Sequence, residues 1–323
     1  MLFVVTGAAG FVGSAVVRAL TELGVSVRGC DRTPAVPVPA AEWLTLDILD
    51  ANNLGSLMLG ADCVVHAAGL AHQRGTRQAI RQKLVAVNVN GTQNVARAAV
   101  QAGVRRFVLV SSVSVYGARA TGPCDEDCPP CPLGAYAESK FEAERQAIAE
   151  ASAGDMSLCI LRLATVYGEG DPGNVARLVR AIDRGRFVWI GSGSNLKTLV
   201  HREDAGRACA IAARSLDQPG GTFNVAEGAY PLRGIVETIV LELGASVPSF
   251  HIPAPPIRFL SRAVGVLARG RGRLGMVHNA LDRWLSNDVY DGTRFRQTFD
   301  FRPLVGLREG LHREVAWYQG LMR

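Results

Sequence analysis

Leu2-Phe3-Val4-Val5-Thr6-Gly7-Ala8-Ala9-Gly10-Phe11-Val12-Gly13 is the stretch that decides the fold. The apolar run Leu2 to Val5 predicts a strand, and Ser14 to Leu23 carries apolar residues at helical spacing until Gly24 stops it. Between them stand three glycines at intervals of three. Strand, glycine turn and helix in that order aim backbone N–H groups and a helix N-terminus at one point, where a pyrophosphate can be held. Gly7, Gly10 and Gly13 allow a tight turn, close approach of the phosphates and close packing of helix on strand, so Gly7, Gly10, Phe11, Val12 and Gly13 are candidate cofactor-binding residues. The spacing is GxxGxxG and not GxGxxG. Its position after the first strand is what supports a dinucleotide reading.

The same alternation continues. A second strand, Val25 to Cys30, ends in Asp31-Arg32. An acid there can accept both hydroxyls of an adenosine ribose and favours NAD, while an arginine can hold the 2′-phosphate of NADP; with Asp31 first, NAD is expected and Arg32 leaves NADP open. Trp43 to Leu46 followed by Asp47-Ile48, and Cys63-Val64-Val65-His66 followed by Ala67-Ala68-Gly69, read as third and fourth strands, with a helix around Asn52 to Leu59 between them. The small residues 67–69 would let a cofactor lie across the strand ends. His66, closing an apolar run, reads as a structural histidine. A helix from about Ile80 to Ala102 holds Asn88-Val89-Asn90-Gly91-Thr92, and a fifth strand, Arg106 to Val110, delivers Ser111-Ser112-Val113-Ser114-Val115-Tyr116-Gly117. A sixth strand, Leu158 to Leu163, leads into Ala164-Thr165-Val166-Tyr167-Gly168.

The expected class is therefore α/β, a doubly wound parallel (Rossmann) sheet with a smaller mixed C-terminal substrate domain. Residues 1–169 form the dinucleotide-binding part, a strand near 222–226 returns to it, and 170–323, with short helices broken by prolines, form a substrate-binding lid.

Tyr136-Ala137-Glu138-Ser139-Lys140 carries the chemistry. Tyr136 and Lys140 lie four residues apart, one helical turn, so an ammonium can sit beside a phenol. Moving a phenol pKa from roughly 10 to near 7 takes about 4 kcal/mol of preferential stabilisation of phenolate, which adjacent positive charge can supply. At the edge where the strands end, the glycine turn, Ser112 and this helix would meet.

Composition bounds the remainder. A chain of 323 residues, 48% hydrophobic and 20% charged, can bury a large core and is too apolar for disorder, yet it has no run long enough to span a membrane. The N-terminus lacks the pattern of a signal peptide, and a cytoplasmic location is expected. Net charge of +6 without a Lys/Arg block interleaved with aromatics argues against nucleic-acid binding. Cys30, Cys63, Cys159 and Cys209 sit in or beside apolar runs and read as buried thiols. Cys124, Cys128 and Cys131 lack a second ligand pair for zinc, and no metal is expected. Five arginines between Arg258 and Arg273, with no acid from His251 to Leu281, make a basic amphipathic stretch whose expected place is a lid helix with a solvated face and not a membrane surface.

Taken in order, Thr6 to Gly13, Asp47-Ile48, His66 to Gly69, Asn88 to Thr92, Ser111 to Gly117, Tyr136 to Lys140, Arg162 to Gly168, Gly191-Ser192-Gly193 and Leu199 to Asp204 resemble an extended short-chain dehydrogenase/reductase of the NAD-dependent epimerase/dehydratase type, which acts on nucleotide sugars. The resemblance implies that Tyr136 is the acid-base catalyst, that Lys140 holds the nicotinamide ribose and lowers the tyrosine's pKa, and that Ser112 bonds the reacting sugar oxygen. It implies cofactor contacts at Asp31, Arg32, Asp47, Ile48, Ala67, Ala68, Gly69 and Asn88. It implies substrate contacts at Ser112, Ser114, Tyr136, Thr165, Asn174 and Lys197, with Arg283 a weaker phosphate candidate, and a homodimer through the helices around 88–102 and 136–149. Dehydrating relatives carry an acid within the segment matching Val113-Ser114; without a carboxyl there, 4,6-dehydration is not expected. The expected function is NAD-dependent 4-epimerisation of a UDP-hexose or UDP-N-acetylhexosamine, the alternative an NAD(P)-dependent dehydrogenase or 4-keto reductase of a nucleotide sugar or small alcohol.

Overall fold

The computed structural model describes residues 1–33, 41–71, 73, 75–117, 122–215, 217–246, 251–253, 255 and 285–322. Seven parallel strands form the central sheet: β1 (Leu2–Thr6), β2 (Ser26–Asp31), β3 (Ala41–Thr45), β4 (Cys63–His66), β5 (Arg106–Ser112), β6 (Ser157–Leu163) and, after three strands that belong elsewhere, β10 (Gly221–Val225). Their spatial order is β10-β6-β5-β4-β1-β2-β3. The chain steps outward from β1 to β3, then crosses to the other side of β1 for β4. That reversal leaves a crevice between the ends of β1 and β4, where open parallel sheets bind ligands.

Burial on both faces explains the strand sequences. Phe3 and Val5 of β1 point into one core with Val65, Val108 and Leu161, while Val4 points into the other with Val64, Phe107, Leu109 and Ile160. The first core is covered by α1 (Phe11–Glu22) and α7 (Arg202–Arg214), the second by α2 (Leu54–Met58), α4 (Gly91–Gln101) and α5 (Ala135–Ser152). Near-continuous apolar runs are what a doubly covered sheet needs. β10 pairs with β6 from Gly221↔Cys159 to Val225↔Leu163, at the position where a returning strand was expected.

The remaining described elements build a third core. β7 (Thr165–Tyr167), β9 (Leu196–His201) and β11 (Gly228–Pro231) form a small sheet of mixed direction, and β8 (Trp189–Ile190) pairs with β12 (His251–Ile252). α6 (Asn174–Asp183), α8 (Leu232–Leu243) and α10 (Leu307–Met322) pack on this sheet through Val179, Ile182, Val236, Ile239, Leu311 and Val315, whereas α9 (Thr293–Phe299) adds Phe295 and Phe299 to the first core.

Three local departures have physical causes. The first helix starts at Phe11 and not Ser14, because Gly10 already caps it: its carbonyl accepts the Ser14 N–H at 3.0 Å. The segment after Asp50 splits into a tight turn at Ala51–Asn53 and the short α2. The long helix expected from Ile80 to Ala102 is α3 (Arg77–Leu84), a π turn (Val85–Asn90) and α4. The widened turn sits where Asn88 turns its amide toward Leu70 and Ser139. A one-residue bulge of this kind is common at functional sites.

α1 and α7 approach closely because Gly206 has no side chain: a Cβ there would lie 2.6 Å from the backbone carbon and oxygen of Ala15. Gly206→Val is expected to push the two helices apart, costing about 1–3 kcal/mol as overpacked cores do, and to lower the urea midpoint of purified protein. An unchanged midpoint would refute this packing account.

Candidate active site

The glycine turn follows directly from β1. Gly7 adopts φ +68°, and a Cβ there would come within 2.6 Å of the backbone of Ala68 in the loop after β4. The Gly10 N–H closes the turn on the Gly7 carbonyl at 2.9 Å. α1 begins with Gly10 as a cap that has no side-chain acceptor, and its first turn has no acidic residue. The N–H groups of Phe11, Val12 and Gly13 thus open toward the crevice with their dipole unopposed, a setting suited to an anion. Asp31, at the end of β2, accepts the Ala9 N–H at 3.1 Å through one oxygen and the Thr33 N–H and hydroxyl at 3.2 Å through the other. Arg32 is exposed and lies 4.0 Å from Asp47. Asp47 itself accepts the Leu49 N–H, and the buried Ile48 packs on Gly91. The residues present fit a dinucleotide: a cradle that any Cβ would fill, an uncapped helix N-terminus and a carboxylate at the second strand end.

His66 belongs to the frame of this cradle. Thr92 donates its hydroxyl to the Asn88 carbonyl at 2.6 Å, so its oxygen accepts from His66 Nε2 at 3.0 Å. That leaves His66 Nδ1 to accept from Thr6 at 2.7 Å, while the Thr6 oxygen accepts the Ala68 N–H at 3.4 Å. One neutral tautomer satisfies every group. Burial, with a smaller contribution from Lys140, pushes the imidazole pKa down to about 3. The chain Ala68, Thr6, His66, Thr92 and Asn88 ties the loop of residues 67–69 to the π turn.

Asn88 is the hub between that loop and the helix bearing Tyr136. Its oxygen accepts the Leu70 N–H at 2.7 Å, and its amide donates to the Leu70 carbonyl at 3.1 Å and to Ser139 at 2.9 Å. Ser139 passes its own proton to the Tyr136 carbonyl at 2.8 Å. A Cβ at Gly69 would lie 3.3 Å from Asn88 Oδ1 and 4.0 Å from Lys140 Nζ, so this loop and Lys140 face one space.

Ser112 ends β5 and caps the following turn, its oxygen accepting the Ser114 N–H at 3.1 Å. Burial pushes the Tyr136 phenol above its ordinary pKa, and its hydrogen bond with Ser112 pulls the other way. The Lys140 ammonium is turned onto the Val110 carbonyl at 2.6 Å. Burial brings Lys140 down to about pKa 8, opposed by Glu144. Glu144 accepts from Ser111 at 2.5 Å and from both arms of Arg162 at 3.0 and 2.7 Å. Arg162 in turn lies over the Tyr116 ring, 4.8 Å from its centre. The hydroxyl of Ser114 is buried and has no hydrogen-bond partner among the described residues.

The structure therefore brings together Gly7, Gly10, the first turn of α1, Ala67, Ala68, Gly69, Asn88, Ser112, Ser114, Tyr136 and Lys140. The candidates of the second half are more dispersed. Thr165 opens β7, and Asn174 is exposed at the start of α6, whose first turn is capped by the buried Asp171 at 2.6 and 3.0 Å. Lys197 is bound to Asp288 at 2.6 Å and to the Ser286 carbonyl at 3.0 Å, so its charge is already countered. Arg283 and most of the basic stretch 251–281 lie outside the described residues. Cys124 is buried and bridges to Tyr290, and among the described residues no group of three or more His, Cys, Asp or Glu is arranged to hold a metal. Sequence reasoning missed Glu144, whose place one turn after Lys140 was a usable signal, and Asp288, which no local signal marks.

Comparison with known proteins agrees with this geometry. The profile of the NAD dependent epimerase/dehydratase family matches residues 3–226. A solved structure of MoeE5 in complex with UDP-glucose and NAD is 31% identical, with a TM-score of 0.78 and 100% of each chain covered. A Mycobacterium tuberculosis 3 beta-hydroxysteroid dehydrogenase/Delta 5-->4-isomerase is 35% identical over 98% of this chain and 90% of its own. An Escherichia coli O157:H7 protein, N-acetyl-alpha-D-glucosaminyl-diphospho-ditrans,octacis-undecaprenol 4-epimerase, is 26% identical over 96% and 93%. With the match extending over most of the chain and the dinucleotide cradle in place, this protein belongs to the NAD-dependent epimerase/dehydratase family and is an NAD-dependent enzyme.

Proposed function

We propose that the protein is a nucleotide-sugar 4-epimerase acting on a UDP-hexose or UDP-N-acetylhexosamine through a transient 4-keto sugar. The observation that carries this reading is the meeting of Ser112, Tyr136 and Lys140 at the crevice beside the carboxyl-free pair Val113-Ser114. MoeE5, whose solved complexes hold UDP-glucose or UDP-glucuronic acid with NAD, supports the substrate class.

Gly7, Gly10, the N–H groups of Phe11 to Gly13, Asp31 and the loop 67–69 would hold NAD, which supplies a hydride acceptor when bound. Tyr136 then serves as base, removing the proton of the sugar 4-hydroxyl, and returns it when the carbonyl is reduced. Ser112 donates a hydrogen bond to the same oxygen and so stabilises charge as it develops there. The unpartnered Ser114 hydroxyl offers a second polar contact next to Ser112. Lys140 would hold the nicotinamide ribose and supply positive charge to the site. Elimination of water would need an extra acid and base beside the ring, and Val113 and Ser114 supply neither. A homodimer through α4 and α5 is part of the same proposal.

One observation favours a second reading, net oxidation or reduction of a secondary alcohol: the 35% identity with the mycobacterial steroid dehydrogenase. Incubating purified protein with UDP-glucose, UDP-galactose and their N-acetyl forms separates the two. Inversion at C4 without accumulation of NADH supports the epimerase; NADH formation without inversion overturns it.

Tyr136→Phe is expected to lower turnover at least about 100-fold, the usual contribution of a positioned acid-base group, while dinucleotide binding persists; full activity would remove the mechanism. Lys140 gives a pH signature in dinucleotide-free protein. The buried ammonium loses its proton near pH 8, whereas in the unfolded chain it does so at roughly pH 10.4. Between these values the unfolded state binds more protons, so Lys140 makes stability rise with pH across that window. Urea unfolding of Lys140→Met should show a shallower rise there than wild type. Equal slopes would contradict the burial of a charged Lys140.

A further inference from the structure

Arg202 is the first residue of α7, where the helix dipole disfavours a cation. It also lies against the first turn of α1, the N-terminal end of a second helix. Its guanidinium sits 5.0 Å from the centre of the Phe11 ring. One arm donates to Ser14 Oγ at 3.0 Å, and the other donates to the carbonyl of Glu169. A Cβ on Gly170 would make ordinary contacts, 3.6 Å from Arg202 Nη1 and 4.0 Å from the Phe11 ring, so loop, arginine and helix meet at one place, and the φ of +87° is what calls for glycine there. Burial holds its pKa below the ordinary arginine value. A half-buried cation at two helix N-termini is a poor choice for stability alone. Such local conflicts are expected where function requires them.

The two arms join two different parts of the site. Ser14 and Phe11 belong to the turn of α1 that would face the dinucleotide pyrophosphate. Glu169 belongs to the loop 168–173, which begins after β7 and delivers Asn174 at the head of α6. Asp171 fixes that loop to α6 by accepting the Gly173 and Ala176 N–H groups, and Gly168 donates to the buried Glu314 at 3.1 Å. Among the described residues, two neighbours at the end of β9 and the start of α7 also reach the loop: His201 Nε2 lies 3.4 Å from the Glu169 carboxylate, and Arg202, which alone of the two also bonds α1, donates to the Glu169 carbonyl.

Building on the nucleotide-sugar reading, we propose that Arg202 is a positioning residue that couples the cofactor turn to the substrate loop, so that a nucleoside diphosphate on the loop and a dinucleotide on the turn tighten each other's binding. Arg202 touches neither reacting group. It sets the relative position of Phe11 and residues 168–174, and filling either site pre-orders the other.

Calorimetric titration of purified protein with NAD, alone and with saturating UDP, tests this. In wild type UDP tightens NAD binding by about fivefold or more, the lower range of measured site–site coupling. Arg202→Met keeps an apolar stem on Phe11 but removes both arms, and the effect falls below about twofold with an unchanged circular dichroism spectrum. Arg202→Lys keeps the charge over Phe11 yet has one head for two acceptors. It retains the affinity for NAD alone and loses most of the coupling. Wild-type coupling in Arg202→Met overturns the inference. If that variant does not fold, Ser14→Ala decides, since it removes one arm only, and full coupling in it overturns the inference equally. Wild type that binds NAD but responds to no UDP overturns the inference and leaves the NAD-enzyme reading standing. Wild type that binds no NAD brings down both.

Discussion

An ammonium group buried at the end of a parallel sheet is the constraint around which this structure is arranged. Lys140 is 8% exposed, and an uncompensated charge in such a place costs several kcal/mol. The compensation is built in steps. The Val110 carbonyl accepts one hydrogen bond from the ammonium, and Glu144 supplies the counter-charge from one helical turn away. Glu144 is buried in its turn, so it needs Ser111 and the paired arms of Arg162. Arg162 lies over Tyr116, whose hydroxyl donates to Asn224 on β10 at 2.8 Å, and Asn224 donates onward to the carbonyls of Cys124 and Asp291. A requirement that starts at one side chain thus reaches the returning strand, the cysteine-bearing loop and the segment near residue 290.

This arrangement separates the two halves of the reactive pair. Tyr136 is governed by burial and Ser112, and Lys140 by burial and Glu144. The two side chains share a helix face, yet each answers to a different strand. The phenol is held by the end of β5 through Ser112, and the ammonium by the middle of β5 through Val110. Strands, and not the helix alone, set the positions of the phenol and the ammonium. The same logic holds at Asn88, where a widened helical turn lets one amide fasten both the loop after β4 and the first turn of α5.

What the sequence disclosed, and what it did not, follows from the range of the interactions. The glycine turn, Asp31, the apolar strands and the Tyr136 to Lys140 spacing are local patterns, and the sheet, its crevice and most of the cofactor cradle could be read from them. Glu144 was equally local and was passed over. The π turn was hidden because a single extra residue does not disturb helical periodicity enough to be seen, although Asn88 itself stood out. Lys197 was read as a free positive charge because its partner, Asp288, is 91 residues away. The bridge from Arg202 to Ser14 spans 188 residues and joins two stretches that look independently complete. Side-chain pairs that connect distant segments are set by topology, which no short window contains.

The position of β10 bears on how the chain is made. Residues 164–220 intervene between β6 and the strand that lies beside it, and the Tyr116 hydroxyl finds its acceptor only when Asn224 arrives. A nascent chain that has emerged as far as β6 leaves β6 as an uncovered edge strand and Tyr116 without its Asn224 acceptor. Unpaired edges and pairings of long sequence separation form late and expose folding intermediates to aggregation. Synthesis must therefore pass Val225 before the seven-stranded sheet is complete. The seven-stranded sheet is completed only with material from the second half of the chain.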